Sequence, residues 1–384
     1  MIYGSGTVVR RRGMTRMISA LLVLAGLTVV APSAIAGQFK KPVYYKLPTR
    51  SGPASMVTAD FNGDGNLDLA IGDGATSQIS VLMGKGKGAF HAAKSFSAQV
   101  PSDLGVGDFN GDHIPDLAVV EYAGSGNGTL GIYLGNGDGT FRNFANYQLG
   151  PWSNSIAVAD FNGDGRLDVA VTNGGSVMVF FGKGDGTFGK PTTYKLPGTH
   201  GIAAGDLNGD HLPDLVVTES QGSVAILMNT GGGKFKRTET YPVACGQPGQ
   251  PAVADLGHSG SADLAIGCES GVDVFLGNGD GTFKSPVFYS TRAIGVDVAQ
   301  VVAADFNHDG NLDIAAVLVV GEPALLYGNG DGTFKPAIAI ELNGDEGGSA
   351  LVQGDFNHDG WSDLAILTLE PKDVAEVAVL LNAH

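Results

Sequence analysis

Residues 60–68 read DFNGDGNLD, with oxygen-bearing side chains at positions one, three, five and nine: Asp60, Asn62, Asp64 and Asp68. Hard oxygen donors at alternating positions of a tight loop suit calcium, with a backbone carbonyl at position seven, here Asn66, and water filling the rest. Gly65 at position six permits a sharp bend. A solvated turn would use the same residue types, because Asp, Asn and Gly favour turns anyway. Repetition decides between the two. Asp108, Asn110, Asp112 and Asp116 recur with Ile114 at position seven, and Asp160, Asn162, Asp164 and Asp168 with Arg166. Asp206, Asn208, Asp210 and Asp214 follow with Leu212, then Asp305, Asn307, Asp309 and Asp313 with Asn311. The last copy has Asp355, Asn357, Asp359 and Asp363 with Trp361. Six intact copies predict about six calcium sites. An EF-hand would need Glu at position twelve; Ile71 and Val119 stand there, so Asp at position nine closes the predicted cage. His113 and His211 replace the glycine of position six and are predicted to be turn residues rather than ligands.

The charge balance agrees. Residues 1–36 carry four Arg and no acid, so removing them takes the formal charge from −16 to −20. Three carboxylates in each of six loops account for 18 of that excess. Without metal they would repel one another. So acidic a chain argues against nucleic acid as a partner.

The loops need elements to hold them. Counting DLGHSGSAD at 255–263, seven copies start 48, 52, 46, 49, 50 and 50 residues apart. Within each unit a short apolar run leads into the loop and a second follows it. A third run ends at a turn such as LGNGDGTF, and a more polar segment returns. Asn-Gly and Asp-Gly supply the positive φ that hairpin turns need. Four strands per period of this length make a propeller blade. The expected fold is therefore all-β, a seven-bladed β-propeller of four-stranded blades in residues 37–384. The last unit lacks a returning fourth strand, and GQFKKPVYYKL at 37–47 resembles GTFGKPTTYKL at 186–196. Residues 38–47 are therefore expected to complete the seventh blade from the N-terminus and close the ring.

Arg10, Arg11, Arg12 and Arg16 precede the apolar run Ile18 to Val30, and Ala34-Ile35-Ala36 offers a small-x-small cleavage site. Residues 1–36 thus read as a signal peptide, with Met14 as an alternative start, and the mature chain as secreted or periplasmic. No later segment is apolar for the length a membrane span needs.

With these loops, the chain resembles the FG-GAP/VCBS repeat proteins, whose blades are like those of the integrin α-subunit head. The resemblance covers residues 38–384. It implies calcium on the loop between the first and second strands of a blade, and a family of adhesion domains, fungal lectins and noncatalytic modules of secreted enzymes.

The fifth loop departs from the pattern. Asp255 and Asp263 remain, but Gly257 and Ser259 replace Asn and Asp, so it is expected to bind calcium weakly or not at all. Cys245 and Cys268, the only cysteines, lie in the same blade. In an exported protein they predict a disulfide on the side opposite the calcium loops, stapling the blade in place of the missing metal.

No nucleophile elbow, P-loop, HExxH or CxxC is present. Polar residues breaking the repeat on the face away from the loops are Glu121, Tyr122, Trp152, Asn154, His200 and Glu219. They are the candidate ligand-binding residues, and Trp152 offers an indole on which a sugar ring could stack. The expected function is a noncatalytic binding or adhesion module for an extracellular glycan or protein, acting as a monomer. The alternatives are a lyase or hydrolase acting on polysaccharide, and a structural subunit of an envelope assembly.

Overall fold

A computed structural model describes residues 38–383, apart from 51, 123–125, 292–295, 343–346 and 370–373. The signal peptide predicted for 1–36 lies outside the described residues. The described chain folds as seven four-stranded antiparallel sheets. Six are continuous in sequence, spanning 53–97, 101–148, 156–195, 199–242, 251–290 and 298–339. The seventh takes three strands from 348–380 and its outermost from Val43–Arg50. Val43 pairs with Val379 and Lys46 with Glu376, so the N-terminal segment supplies the missing strand as expected.

Each second strand is buried along its length, as in Asp68–Asp73 and Asp116–Tyr122, while the fourth is mostly exposed, as in Lys94–Ser97. Continuous apolar runs therefore sit inside the ring and alternating polar runs on its rim. The innermost strand of each blade packs on that of the next, and blade seven's packs on blade one's. The described residues hold no single core. Their buried side chains form seven clusters, one at each junction between blades.

Two repeated contacts set the junctions. The Phe after position one of a loop meets the Phe of the next blade's third turn, as in Phe109–Phe188 at 5.6 Å and Phe161–Phe235 at 5.6 Å. The Tyr hydroxyl of one outer strand accepts the N–H of that same Phe one blade on. Tyr147 takes Phe188 at 2.7 Å, Tyr194 takes Phe235 at 3.1 Å, and Tyr241 takes Phe283 at 3.0 Å. The N-terminal segment reproduces both contacts. Phe39 meets Phe306 at 5.9 Å, and Tyr45 accepts the Phe90 N–H at 3.2 Å. Gln38 adds hydrogen bonds to the Phe306 carbonyl and, at 3.0 Å, to Asn382. Closure thus repeats the ordinary blade junction with residues from the opposite end of the chain.

Candidate functional site

Every acidic loop joins the first strand of its blade to the second, and its backbone is tied to its own carboxylates. Asp60 accepts N–H groups from Gly63 at 2.8 Å, Asp64 at 3.1 Å and Gly65 at 2.8 Å. Asn62 Oδ1 accepts the Asp64 N–H at 2.9 Å, and Asp64 accepts that of Asn66 at 2.8 Å. Asp68 is fully buried and works differently. It accepts the Phe61 N–H at 2.9 Å and the Gly84 N–H at 2.6 Å, tying the loop to the end of the third strand. Asp116, Asp168, Asp214, Asp313 and Asp363 do the same. Burial pushes these six carboxyls up to about 6, and the loop's other two acids add to the rise.

The fifth loop separates shape from charge. Asp255 still accepts the Ser259 and Gly260 N–H groups, at 2.9 and 2.8 Å. Asp263 still accepts those of Gly257 and Gly277, at 2.9 and 2.7 Å. The loop therefore keeps its backbone scaffold with Gly257 and Ser259 at positions three and five. Asn and Asp at those positions of the six intact loops are not required for the turn itself. Their side-chain oxygens have the chemistry a hard cation takes. Among the described residues no three His, Cys, Asp or Glu side chains stand together as a ready metal cage. A hard cation held here would draw also on the position-three amide and the position-seven carbonyl, at Asn66, Ile114, Arg166, Leu212, Asn311 and Trp361. In the third loop the Arg166 guanidinium itself pairs with Asp164.

His113 and His211 have φ of 66°, in the left-handed region the turn demands, and their side chains stand in solvent. The histidines at position four of the last two loops reach across to neighbouring loops. His308 stacks on Trp361 of the next loop at 4.0 Å, with its Nε2 3.1 Å from the Gly360 carbonyl. His358 Nε2 lies 3.0 Å from Asn66 Oδ1 of the first loop. Both contacts flank the blade assembled from the two ends of the chain. The available signal was that His replaces Gly at position four in two consecutive intact loops.

Cys245 and Cys268 form a disulfide with Cα atoms 5.3 Å apart. Cys268 ends a second strand whose first residue, Asp263, belongs to the acidic loop, so the bridge lies at the other end of the blade.

The residues expected on that far face are only partly brought together. Asn154 and His200 line one polar cavity with the starts of the innermost strands. Tyr122 donates to Asn154 Oδ1 at 3.2 Å. Trp152, two residues before Asn154, is 73% exposed with φ of 62°. Glu121 departs from the expectation of a contact surface. It is fully buried, and its carboxylate accepts Tyr133 Oη–H at 2.6 Å and the Gln99 N–H at 3.0 Å. Burial raises its pKa. Glu219 is also nearly buried and lines a separate cleft, where it accepts from Arg237 at 3.2 Å and Ser223 at 2.7 Å. Asp103, Ser55, Ser155, Gln250 and Gln300 share the Asn154 cavity and were not among the residues expected there. The signal was register: each of the five stands five residues before the first Asp of its blade's loop, at 60, 108, 160, 255 and 305.

Seven blades with a two-ended closure define a β-propeller. The FG-GAP-like repeat profile matches six segments, 60–119, 108–171, 160–217, 206–266, 258–316 and 317–366, and the chain belongs to that family. No curated protein sequence matches it. Among solved structures, a lectin from Agrocybe aegerita, described as recognising non-reducing terminal N-acetylglucosamine, is similar in fold. It is 21% identical, with 87% of this chain and 86% of that one covered and a TM-score of 0.56. BBS1N, solved in complex with ARL6DN, is 15% identical, with 90% and 97% covered and a TM-score of 0.60. At these identities the likeness is one of fold.

Proposed function

We propose that the protein is a secreted, calcium-stabilised, noncatalytic binding module that engages a glycan or a protein on the face opposite its acidic loops. The observation that carries the binding role is Trp152. A large apolar ring stands in solvent two residues before Asn154, whose Oδ1 accepts the Tyr122 hydroxyl. An exposed aromatic with polar neighbours suits both sugar rings and protein surfaces. The buried acids of this face, Asp103 and Glu121, are saturated by internal hydrogen bonds, which favours a binding role over proton transfer.

The calcium role is supported by the fifth loop, whose scaffold survives without the amide at position three and the carboxylate at position five. Export is supported by the pattern of residues 1–36 and by the disulfide, which oxidising compartments sustain. A glycan array and a capture experiment with envelope proteins, each run with calcium and with EGTA, test the reading. Calcium-dependent binding that Trp152→Ala removes is the expected result. Turnover of a polysaccharide by the purified protein would replace this reading with an enzymatic one.

A further inference from the structure

The cavity beside Asn154 lies on the ring axis, because residues from all seven blades line it. Its volume is about 280 Å³. In its wall Asp103 accepts five hydrogen bonds. Ser55 Oγ–H reaches Oδ1 at 2.7 Å and the Leu104 N–H at 2.9 Å. Ser155 Oγ–H and the Ile156 N–H reach Oδ2, both at 3.0 Å. Gln250 comes from blade five to the facing side, its amide 3.3 Å from Asp103 and 2.9 Å from Ser155 Oγ. No Lys, Arg or His pairs with Asp103 among the described residues. A buried carboxyl held only by neutral donors is costly to keep ionised, and an apolar plug would close the axis with less penalty. The polar lining is therefore better explained by what it binds than by what it seals.

The lining narrows the ligand. Its one basic side chain is His200, so an anion finds little to pair with, least of all on a chain of net charge −16. Its apolar members are Ala54, Gly201 and Ala299, too small to hold a lipid or an aromatic ring. Asp103 is already saturated and has little left for a cation. Amides from Asn154, Gln250 and Gln300, with serine hydroxyls between them, suit a neutral ligand bearing several hydroxyl groups. The volume falls just below the roughly 300–1,000 Å³ of drug-sized pockets, which is room for one sugar ring and not for a longer chain. We propose that the axial mouth is a subsite for a single neutral sugar ring, entering end-on as the terminus of a glycan. Gln250, Asn154 and Gln300 would contact it, with Asp103 as the positioning residue that orients Ser55, Ser155 and Gln250. This rests on the glycan form of the binding role, and Trp152, two residues before Asn154, would meet the next unit of the chain.

The test uses the mature protein in calcium, with glucose, galactose, mannose and N-acetylglucosamine as probes. Saturation-transfer NMR and calorimetry read binding, and a glycan array is run in parallel. At least one of the four sugars should bind. Gln250→Ala and Asn154→Ala should each weaken it by about tenfold, the loss of one buried hydrogen bond, in protein that calorimetry shows to be folded. Gln221→Ala, in the separate Glu219 cleft, should leave it unchanged. Asp103→Asn should weaken it too, and the two amide variants keep the test decisive if that protein fails to fold. Absence of transfer from all four sugars overturns the subsite, as does binding unaffected by Gln250→Ala and Asn154→Ala. Array binding that depends on Trp152 but not on these residues would also overturn it while leaving the binding module standing. Silence on the array and in protein capture would count against the module itself.

Discussion

Asp164→Ala separates the two roles assigned to the acidic loops. Asp164 sits at position five of the third loop, where the fifth loop manages with Ser259. In chelator the variant loses the Arg166 ion pair, whose partners are 46% and 29% exposed, and such surface pairs contribute about 0–1 kcal/mol. It also loses the Arg166 N–H bond to Asp164 Oδ1 at 3.0 Å, about 0.5–1.5 kcal/mol. A ring of roughly 350 residues unfolds with an entropy of about 0.7 kcal/mol/K, so the melt should fall by about 1–3 °C. In about 10 mM calcium the variant also loses one bound ion. With Kd of roughly 0.1–1 mM, that ion contributes about 1.4–2.7 kcal/mol, or about 2–4 °C more. Calcium counted by elemental mass spectrometry should drop by one per chain. Asp168→Ala, at position nine, should lower the melt in both media. The buried Phe161 and Gly182 N–H groups lose their acceptor, each at a cost of about 1–3 kcal/mol. Scanning calorimetry with and without calcium reads both variants. An equal fall for Asp164→Ala in the two media, with the calcium count unchanged, would refute the assignment of metal to these loops.

Metal-free protein should gain stability as pH falls from 7 towards 5. Burial pushes the six position-nine carboxyls up to about 6 in the folded protein, above the ordinary 3.8, so their contribution is present at low pH and lost as pH rises through 6. Urea titrations at several pH values check this, and a monotonic loss of stability over that range would contradict it. Replacing Cys245 and Cys268 by Ser opens a loop closed across 23 residues. The chain-entropy estimate is a loss of about 3 kcal/mol, or about 4 °C, seen by calorimetry under non-reducing conditions. Tyr45→Phe removes the acceptor of the Phe90 N–H at the closing junction and should cost about 0.5–1.5 kcal/mol in urea unfolding.

Repetition made most of this protein legible in one dimension. Loops of fixed spacing, each between two apolar runs, imply four-stranded blades, because each blade can bury its faces only on its neighbours. The likeness of 37–47 to 186–196 placed the closing strand, since Phe39 and Tyr45 fall where Phe188 and Tyr194 do. The pairing of Cys245 with Cys268 followed from their nearness within one blade. What the repeat could not reveal is whatever lies between blades or across the axis. His308 on Trp361 and His358 on Asn66 join loops about fifty residues or nearly three hundred apart, and no local pattern encodes such contacts. Glu121 breaks the repeat like a surface residue, yet Tyr133 folds over it. Asp103, Ser155 and Gln250 lie as much as 147 residues apart, and they meet because ring closure brings seven strand starts to one axis. Local hydrogen bonding and apolar spacing determined the blades and loops; only closure of the ring decided which polar side chains share a cavity.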